Sequence, residues 1–554
     1  MSGRRASDVF VECLEAEGVR HVFGIPGEET LDLNASLAHS SIAFVPVRHE
    51  QGGAYMADMY GRLTGRAGVC LGTLGPGALN LVTAVADAFL DRAPLVALTG
   101  QSDLDRMHKE SHQYIDLVEV MRPITKWNAR VSSAEIVPEV VRKAFKVAES
   151  EKPGATHLEL PEDVMAAPRP DGIAGPLPRR RPVRPEPGAR ELLKAVGVIR
   201  NAINPVVLAG NGVVRNRAAP ALREFARATG IPVAETFMGK GALDFGDPKA
   251  LGTVGLQDRD YAMAGFEEAD VVIAVGYDLV EHAPHHWNPR RDKTIVVLDT
   301  VAAEIDSHYS PEVELVGDLY HVLTRLAEEC RDVPFAGAHP RSDRLRRAVL
   351  GRLEAAKEDV EFPMQPPRAL WEIRRALARD DILISDVGLH KLWIGRMFPA
   401  HEPNTVLIAN GLSGMGFALP CAIAAKLVHP DRKVITVNGD GGFLMNVQEL
   451  ETARRLGTPV VNVVWEDCQY GSIVWKQEKR FDAHFGTDFT NPDFVGLARS
   501  FGVPAWRCES LGDFGQHLRH ALGLDLPSLI VLPIDYSLDI AISQELGEET
   551  VIRT

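Results

Sequence analysis

The chain alternates short, nearly continuous apolar runs with longer segments in which apolar residues recur at helical spacing. Runs of β-branched and aliphatic residues are typical of strands buried on both faces, and helices between such strands make them parallel. The pattern therefore predicts an α/β fold of doubly wound parallel sheets. The clearest predicted strands are Ile42–Val47, Leu95–Thr99, Val206–Ala209, Val271–Val275, Thr294–Leu298, Ile382–Ser385, Val434–Val437 and Val460–Val464.

Two breaks in this pattern divide the chain. The stretch from Pro168 to Pro187 is dense in Pro, Arg and Gly, as exposed linkers are, and a charged helical stretch after Pro334 ends at Pro367. We expect three α/β domains at residues 1–167, 189–335 and 368–554, with a linker at 168–188 and a linker helix at 336–367. The outer two domains share a rhythm of strand, glycine turn and helix, but the sequence contains no residue-level repeat between them.

Composition and charge narrow the class of protein. Among 554 residues, Lys and Arg number 60 and Asp and Glu number 75, so the net charge is −15. An acidic chain without a basic face disfavours nucleic-acid and membrane-surface binding, and the Arg run in the first linker is better explained as solvated. No apolar run reaches membrane-spanning length, the start lacks a secretory pattern, and the six cysteines are widely spaced. We therefore expect a cytoplasmic enzyme.

The densest candidate chemistry lies where the strand Val434–Val437 runs into a glycine-rich turn. Asp440 is flanked by Gly439, Gly441 and Gly442, and Asp467 follows the next strand 27 positions later. Glycines let backbone N–H groups approach a phosphate, and carboxylates at adjacent strand ends suit Mg²⁺. A glycine-Asp-glycine sequence by itself is also common in plain turns, so both interpretations stay open here.

A second candidate acid is Glu50, which follows the strand Ile42–Val47 and opens a helix of small residues. Glutamate is favoured at a helix start by the helix dipole alone, so its position does not by itself indicate catalysis.

Taken together, these segments resemble the thiamin diphosphate (ThDP) enzyme family. The Gly439–Gly441 turn followed by a strand-end acid is similar to the family's diphosphate-binding motif, and His49-Glu50 with Gly61–Gly65 is similar to its pyrimidine-binding domain. The resemblance implies ThDP and Mg²⁺ as cofactors, with Asp440, Asp467 and the carbonyl of Gln469 as metal ligands. The family usually carries Asn-Asn where this chain has Glu466-Asp467, which adds negative charge beside a diphosphate.

The resemblance also assigns the residues around the cofactor. It implies that Glu50 is catalytic and hydrogen-bonds N1′ of the aminopyrimidine. It implies further that Met415 supports the V-shaped cofactor and that the Ser413 carbonyl receives its 4′-amino group. The other implied cofactor contacts are Gly75, Pro76, Asn80, Val387, Gly388, His390, Gly439, Asp440, Gly441, Gly442, Tyr470, Gly471 and Ile473.

Within the family, nearly the whole chain is most similar to acetolactate synthase large subunits, as in Phe23–Glu29, Leu90–Leu95 and Arg122–Asn128. This similarity implies that one pyruvate loses CO₂ and that the remaining two-carbon unit joins a second pyruvate. It places His112, Gln113 and Lys126 at the substrate entrance, with Gln113 also catalytic. It implies a homodimer or homotetramer whose active sites are shared between subunits, with small 2-oxo acids as substrates and no nucleic-acid or membrane partner.

Departures from the family pattern leave alternatives open. His112 replaces a common Phe, and Trp475-Lys476 stands where Gln-Trp is usual. A non-oxidative 2-oxo acid decarboxylase, an aldehyde carboligase and a non-catalytic ThDP-binding module are the alternatives. The resemblance to biosynthetic acetolactate synthases implies that FAD could bind the middle domain without a redox role. This domain has glycine turns after Ala209 and Val275 but no GxGxxG, and Tyr277–Glu281 stands where those enzymes carry an Arg-Phe-Asp-Asp-Arg-like stretch. FAD is therefore conceivable there but disfavoured.

Overall fold

The computed structural model describes residues 4–169, 175–180, 184–255, 263–332 and 340–537. Eighteen strands within them form three six-stranded sheets in which every strand pairing is parallel. Helices connect the strands, so the predicted α/β class with doubly wound sheets is confirmed. No helix within the described residues is both long enough and apolar enough to span a bilayer.

The first sheet has the strand order β2-β1-β3-β4-β6-β5. Strands β3, β4 and β6 are buried along their whole length, as their continuous apolar runs predict. The strands are β1 His21–Gly24, β2 Ala43–Pro46, β3 Gly68–Gly72, β4 Leu95–Gln101, β5 Trp127–Arg130 and β6 Ala155–Pro161. The helices of this stretch are α1 Ala6–Glu17, α2 Leu31–Leu37, α3 Glu50–Thr64, α4 Pro76–Leu90, α5 Leu117–Met121, α6 Val137–Glu149 and α7 Glu162–Ala166.

The second sheet has the order β12-β11-β10-β7-β8-β9, with two central strands fully buried. Its strands are β7 Pro205–Ala209, β8 Val233–Glu235, β9 Ala250–Thr253, β10 Val271–Val275, β11 Thr294–Asp299 and β12 Pro311–Val316. The helices of this stretch are α8 Ala189–Asn201, α9 Asn211–Arg215, α10 Ala219–Thr229, α11 Met263–Glu267, α12 Pro284–Trp287 and α13 Leu319–Glu329.

The third sheet has the order β14-β13-β15-β16-β18-β17, which is the order of the first sheet with each strand number raised by twelve. Its strands are β13 Ile382–Ser385, β14 Val406–Ile408, β15 Val434–Gly439, β16 Val460–Glu466, β17 Ala505–Arg507 and β18 Ser528–Pro533. The helices of this stretch are α14 Pro340–Ala355, α15 Pro366–Ala376, α16 Leu389–Met397, α17 Ala418–Val428, α18 Asp440–Met445, α19 Glu449–Leu456, α20 Gly471–Phe481, α21 Phe494–Ser500 and α22 Leu511–Ala521. The shared rhythm of the outer parts of the chain thus corresponds to one shared sheet topology.

Residue contacts divide the chain into two compact units. The first contains Met1–Val183, Gly411–Asp431 and Met445–Thr458, and the second contains Arg184–Asn410, Arg432–Leu444 and Pro459–Thr554. In the first unit α17 packs against α3, although some 350 residues separate them along the chain. The three predicted domain boundaries remain a prediction. Parts of the predicted connections, at 170–174, 181–183 and 336–339, lie outside the described residues.

Candidate active site

Glu50 is the first residue of α3 in the first unit, directly after the strand β2 and a short turn. His49 caps the helix, because its ring nitrogen accepts from the backbone N–H of Gln51 at 3.2 Å. The Glu50 side chain is only 7% exposed, and the amide of Asn80 donates to its Oε2 at 2.9 Å. Glu50 is thus a buried carboxyl group at the start of a helix, and its Oε2 accepts a hydrogen bond from the Asn80 amide.

The turn that precedes α4 lies against this carboxyl group. Gly75 has a φ of +52°, and a Cβ there would lie 2.6 Å from the carbonyl oxygen of Gln113. A Cβ at Gly77 would lie 3.2 Å from Oε1 of Glu50. Glycine is therefore required at Gly75, and Pro76 starts α4 with its φ already set for a helix. Five predicted residues, namely Glu50, Gly75, Pro76, Asn80 and Gln113, come together here.

The three predicted substrate residues, His112, Gln113 and Lys126, differ in exposure. His112 and Gln113 are exposed, and Gln113 adopts a left-handed φ of +59°. Lys126 is half-buried, and its Nζ donates to the carbonyls of Val147 and Ser150, both at 2.6 Å. Its ammonium group therefore neutralises the carboxyl end of α6. The substrate role of Lys126 stays a prediction.

Glu449 is a residue of this unit that the sequence analysis missed. Its Oε1 accepts the backbone N–H groups of Arg48 and His49 at 3.0 and 3.1 Å, and Thr452 donates to its Oε2 at 2.6 Å. Burial raises the pKa of this carboxyl group above its ordinary value. Glu449 thus holds the turn that leads into Glu50. Glu449 is the first residue of α19, and glutamate is common at helix starts, so the sequence contains no specific signal for this contact.

The segment 411–417, which carries Ser413 and Met415, also belongs to the first unit. Both side chains are half-buried, and Ser413 has a left-handed φ of +59°. The amide of Asn446 donates to the carbonyl of Gly416 at 2.8 Å. The structure therefore places these two predicted residues in the same unit as Glu50.

Asp440 lies in the second unit, where β15 meets α18. Strands β15 and β16 are neighbours, with Gly439 paired to Trp465, so their carboxyl ends lie side by side as expected. Oδ2 of Asp440 accepts the backbone N–H groups of Asp467 and Cys468 at 3.1 and 2.7 Å. One carboxylate thus orders the turn that carries the second predicted ligand, Asp467, and leads on to Gln469.

Asn491 is a second residue that the sequence analysis missed. Its Nδ2 donates to Oδ2 of Asp440 at 2.8 Å and to Sγ of Cys468 at 3.3 Å. Its Oδ1 is buried and accepts no hydrogen bond from the described residues. The Asn491-Pro492 pair indicates only a turn, and nothing local connects it to a residue 51 positions earlier.

The glycine-rich turns of the second unit surround a buried histidine. A Cβ at Gly388 would lie 2.7 Å from the ring of His390, and a Cβ at Gly439 would lie 3.2 Å from it. Burial lowers the pKa of this imidazole to about 3, so the ring is neutral at pH 7. Its Nε2 is buried without a hydrogen-bond partner among the described residues. Buried polar atoms normally form hydrogen bonds, so a polar group bound next to these glycine turns would supply the partner that His390 Nε2 lacks within the described part of the chain.

The remaining predicted diphosphate contacts lie around the same turns. A Cβ at Gly441 would lie 2.9 Å from the ring of Tyr470, and a Cβ at Gly442 would lie 3.1 Å from Asp386. The backbone N–H of Val387 donates to Oδ1 of Asp386 at 2.7 Å. A cavity of about 270 Å³ opens beside them, lined by Leu389, Asp467, Gln469, Gly471, Val474, Trp475, Glu478, His484, Asp535, Tyr536 and Ser537.

Helix α20 borders this cavity and begins at Gly471. Two predicted contacts at its start, Tyr470 and Ile473, are 40% and 44% exposed. Because these two large side chains are partly exposed next to a glycine-rich turn, they are available to contact a ligand.

The expected repulsion between adjacent acids is relieved within the protein. Glu466 forms an ion pair with Arg507, and only 12% of its side chain is exposed. The Glu466 carboxylate is therefore neutralised by an arginine and does not depend on a metal for compensation.

The donor set fits a hard cation that shares its coordination with phosphate. Within the described parts of the chain, no group of three or more His, Cys, Asp or Glu side chains is arranged to hold a metal. Asp440, Asp467 and the Gln469 carbonyl offer only three oxygen donors. Mg²⁺ commonly binds through one or two carboxylates together with phosphate oxygens and water, so these residues suit it when a diphosphate is also present.

Known protein families and proteins are similar to this chain over nearly its whole length. Three protein-family models match the chain: the N-terminal TPP binding domain of thiamine pyrophosphate enzymes at 4–120, the central domain at 192–326 and the C-terminal TPP binding domain at 386–532. The acetolactate synthase of Bacillus subtilis (strain 168) is 36% identical over 550 residues, which cover 98% of this chain and 95% of that protein. The catabolic acetolactate synthase of Raoultella terrigena is 35% identical over 538 residues, 96% of this chain and 95% of that protein. A probable acetolactate synthase large subunit of Methanocaldococcus jannaschii is 34% identical over 558 residues, 96% of this chain and 92% of that protein.

Proposed function

This chain belongs to the thiamine pyrophosphate enzymes and among them to the acetolactate synthases, and from that premise we propose that it condenses two pyruvates to 2-acetolactate and CO₂. In this reaction the C1–C2 bond of one pyruvate breaks with release of CO₂, and a new carbon–carbon bond forms to C2 of the second pyruvate. One proton is taken up, because two pyruvate anions yield one acetolactate anion and neutral CO₂. ThDP, when bound, supplies the electron sink that this decarboxylation requires.

The observation that carries the proposal is the buried carboxyl group of Glu50 with its Asn80 partner. Asn80 holds Oε2 at 2.9 Å, so Oε1, which faces the Gly77 side of the turn, is available to share a proton with a ring nitrogen. A carboxyl group in a site from which water is excluded can hold or release that proton without competition from solvent. Glu50 would therefore bind N1′ of the aminopyrimidine, with Ser413 and Met415 supporting the same ring system.

The second unit would hold the diphosphate end. Asp440, Asp467 and the Gln469 carbonyl would bind Mg²⁺, and the neutral His390 would contact the diphosphate through its partnerless Nε2. The glycine turns would bring backbone N–H groups close to phosphate oxygens. The residues proposed to line this end are Val387, Gly388, Gly439, Gly441, Gly442, Tyr470, Gly471 and Ile473.

The middle sheet argues against a bound FAD diphosphate. The N-terminus of α9, which follows the first glycine turn, is filled by Glu281, whose two carboxylate oxygens each lie 3.1 Å from the backbone nitrogen of Asn211. Burial raises the pKa of Glu281 to about 8, and a Cβ at Gly212 would lie 2.5 Å from Cα of Gly276. The two turns pack on each other, and a side chain of this protein stands where a phosphate would bind. We therefore propose that the enzyme works without FAD.

The other family properties are carried over as part of this proposal. Gln113 would act on the substrate, His112 and Lys126 would line its path, and two copies of the chain would form each pair of active sites. The identity of the acceptor substrate is the most detailed part of the proposal. It depends on the residues at the substrate entrance, where Trp475 and Lys476 depart from the family pattern.

The test is a product analysis on apo-protein. The protein is freed of cofactor, titrated with ThDP and Mg²⁺, and then given pyruvate. We expect pyruvate to be consumed only when both additions are present, with one acetolactate and one CO₂ formed for every two pyruvates. Acetaldehyde in place of acetolactate would favour the decarboxylase alternative. No loss of pyruvate or of any other 2-oxo acid would favour a binding module and contradict the proposal.

A further inference from the structure

Four charged side chains lie buried together between α3 and α4 of the first unit. Asp58 and Arg62 are on α3, Asp87 is on α4, and Asp91 caps the end of α4. Arg62 contacts all three acids, at 2.5 Å to Asp58, 2.7 Å to Asp91 and 3.5 Å to Asp87. The three carboxyl groups have no exposed side-chain surface, and Arg62 is 8% exposed. The function proposed above uses none of these four side chains.

The cluster places three acids around one arginine. Burial raises the pKa of Asp87 well above its ordinary value, and the neighbouring Asp91 and Asp58 raise it further. Burial also raises the pKa of Asp58, against the effect of Arg62. Burying three carboxyl groups beside one guanidinium group is costly, and hydrogen bonds that the carboxyl groups accept from elsewhere in the protein reduce this cost.

Those hydrogen bonds come from the backbone of the segment 411–417. The N–H of Gly411 donates to Oδ1 of Asp91, and the N–H of Gly414 donates to Oδ1 of Asp87 at 3.3 Å. The guanidinium group of Arg62 lies 5.0 Å from the ring centre of Phe417. These three contacts attach the segment on both sides of Ser413 and again just after Met415, to α3, to α4 and to the residue that caps α4. The Asn446 amide, which donates to the Gly416 carbonyl, is a further attachment.

Glycine is needed for this arrangement at one position in particular. A Cβ at Gly414 would lie 2.2 Å from the hydroxyl oxygen of Tyr55 on α3. The absence of a side chain at Gly414 lets the segment lie against Tyr55 of α3 while its N–H donates to Asp87 of α4.

We propose that Asp87 and Asp91, oriented by Arg62, are positioning residues that fix the segment 411–417 in its cofactor-ready conformation before any cofactor binds. The proposal rests on the proposed function only for the roles of Ser413 and Met415. A segment that is ordered in advance loses little conformational freedom on binding, so its attachment contributes to cofactor affinity and not to the chemical step.

Amide hydrogen exchange on the apo-protein tests the attachment directly. We expect peptides covering 411–417 to exchange roughly tenfold or more faster in Asp87→Ala and Asp91→Ala, because each loses an acceptor for a backbone N–H. Asp87→Asn keeps an acceptor oxygen and resembles the protonated carboxyl group, so its exchange should stay near that of the wild type. Glu17→Gln is the matched control, since Glu17 is a buried acid of the same unit that pairs with Arg142 and Arg179.

Cofactor binding gives the second readout. In a fluorescence titration with ThDP and Mg²⁺, we expect the alanine variants to bind roughly tenfold or more weakly, and Asp87→Asn and Glu17→Gln to bind as the wild type does. Saturating ThDP should restore most of the turnover of a folded alanine variant, because the defect lies in affinity. A lower kcat at saturation with unchanged affinity would contradict a positioning role.

The outcomes separate this inference from the proposed function. Unchanged exchange of 411–417 in folded alanine variants would overturn the inference whatever the enzyme does with pyruvate. If the alanine variants do not fold, amide hydrogen exchange of the wild-type protein tests the inference instead. The Gly411 and Gly414 amides should then exchange more slowly than the Leu412 amide, and equal rates would overturn the inference. Wild-type protein that binds no ThDP would overturn the proposed function and leave the exchange result standing.

Discussion

At the residue scale, burial decides which groups are charged and which stay neutral. Glu50 is almost fully buried, and Oε2 of its carboxyl group accepts a hydrogen bond from the Asn80 amide. His390 and His157 are buried, and burial lowers the pKa of each imidazole to about 3. The two rings are thus suited to hydrogen bonding as neutral groups, and the Glu50 carboxyl group keeps the role at the cofactor ring that is proposed for it above.

Replacing Glu50 with Gln tests the first of these assignments. The amide keeps the shape and a hydrogen bond but cannot share a proton with a ring nitrogen, so we expect turnover to fall by roughly 10²–10⁴-fold. ThDP affinity should change by less than about tenfold, because most of the binding lies at the diphosphate end. Steady-state kinetics and a fluorescence titration measure the two effects. Glu135→Gln on the protein surface is the control, and a Glu50→Gln variant with near-normal turnover would refute the assignment.

His157 predicts a pH dependence of stability. It is fully buried on β6, with Nε2 2.8 Å from the hydroxyl of Thr99. Its pKa falls from an ordinary 6.5 to about 3 on folding. Below pH 6.5 the unfolded chain takes up a proton that the folded chain does not, so stability is lost as the pH falls from 6.5 towards 3. This residue should lower the free energy of unfolding by about 2 kcal/mol between pH 8 and pH 5.

Denaturant unfolding curves at pH 8, 6 and 5 measure this contribution. His157→Gln removes the titrating group, so its unfolding midpoint should fall less steeply with decreasing pH than that of the wild type. His39→Gln, at an exposed position, should leave the pH dependence of the wild type unchanged. Parallel pH curves for wild type and His157→Gln would show that the histidine is not held neutral.

At the element scale, the helix α3 carries the site because its small residues let it approach the sheet closely. A Cβ at Gly61 would lie 2.2 Å from the carbonyl oxygen of Pro94, and a Cβ at Gly68 on β3 would lie 2.0 Å from that of Ala57. Both clashes are with backbone, which cannot move as a side chain can. The position of Glu50 at the start of α3 therefore depends on glycine packing along the rest of this helix.

Two helical glycines give opposite predictions. Gly61→Ala should destabilise the protein by about 1–3 kcal/mol, because the added methyl group overpacks against Pro94. Gly197→Ala on α8 should stabilise it by about 0.5–1 kcal/mol, since nothing lies within 4 Å of the added methyl group. Unfolding midpoints of both variants check the signs. Stabilisation by Gly61→Ala would contradict the packing described here.

At the scale of the whole molecule, the first and third sheets share one strand order. The turns that carry Glu50 and Asp440 thus follow strands of two sheets with the same topology. The middle sheet, which lies between them along the chain, has a different strand order. Under the proposed function, one copy of the chain would supply Glu50 and another would supply Asp440 to the same active site.

Complementation between two inactive variants tests that sharing. In a dimer of Glu50→Gln with Asp440→Ala, one site would carry both defects and the other would carry none. Random exchange of subunits makes about half of the dimers mixed, so activity should recover to about a quarter of the wild-type value. Each variant alone should be inactive in the same assay. No recovery after verified subunit exchange would show that each site takes both residues from one copy.

The sequence by itself determined the α/β class, the parallel sheets and the family, because these depend on periodicity and on short motifs. The predicted strands Val271–Val275 and Ile382–Ser385 have the observed bounds, whereas β15 continues past Val437 to Gly439 because Asn438 and Gly439 keep pairing with β16. Asn and Gly both have low strand propensity, so the sequence does not predict a strand at Asn438 and Gly439. Pairing with the neighbouring strand β16 is what extends β15 to these residues.

Only the tertiary structure decided which residues hold the site in place. Glu449 reaches the turn before Glu50 across 400 positions, and Asp91 reaches Gly411 across 320. Such contacts leave no local pattern, because a buried acid at a helix start or end looks the same whether or not a distant backbone donates to it. Hydrophobic periodicity encodes which face of an element is buried, but the partners of a buried polar group are set by how the elements pack together.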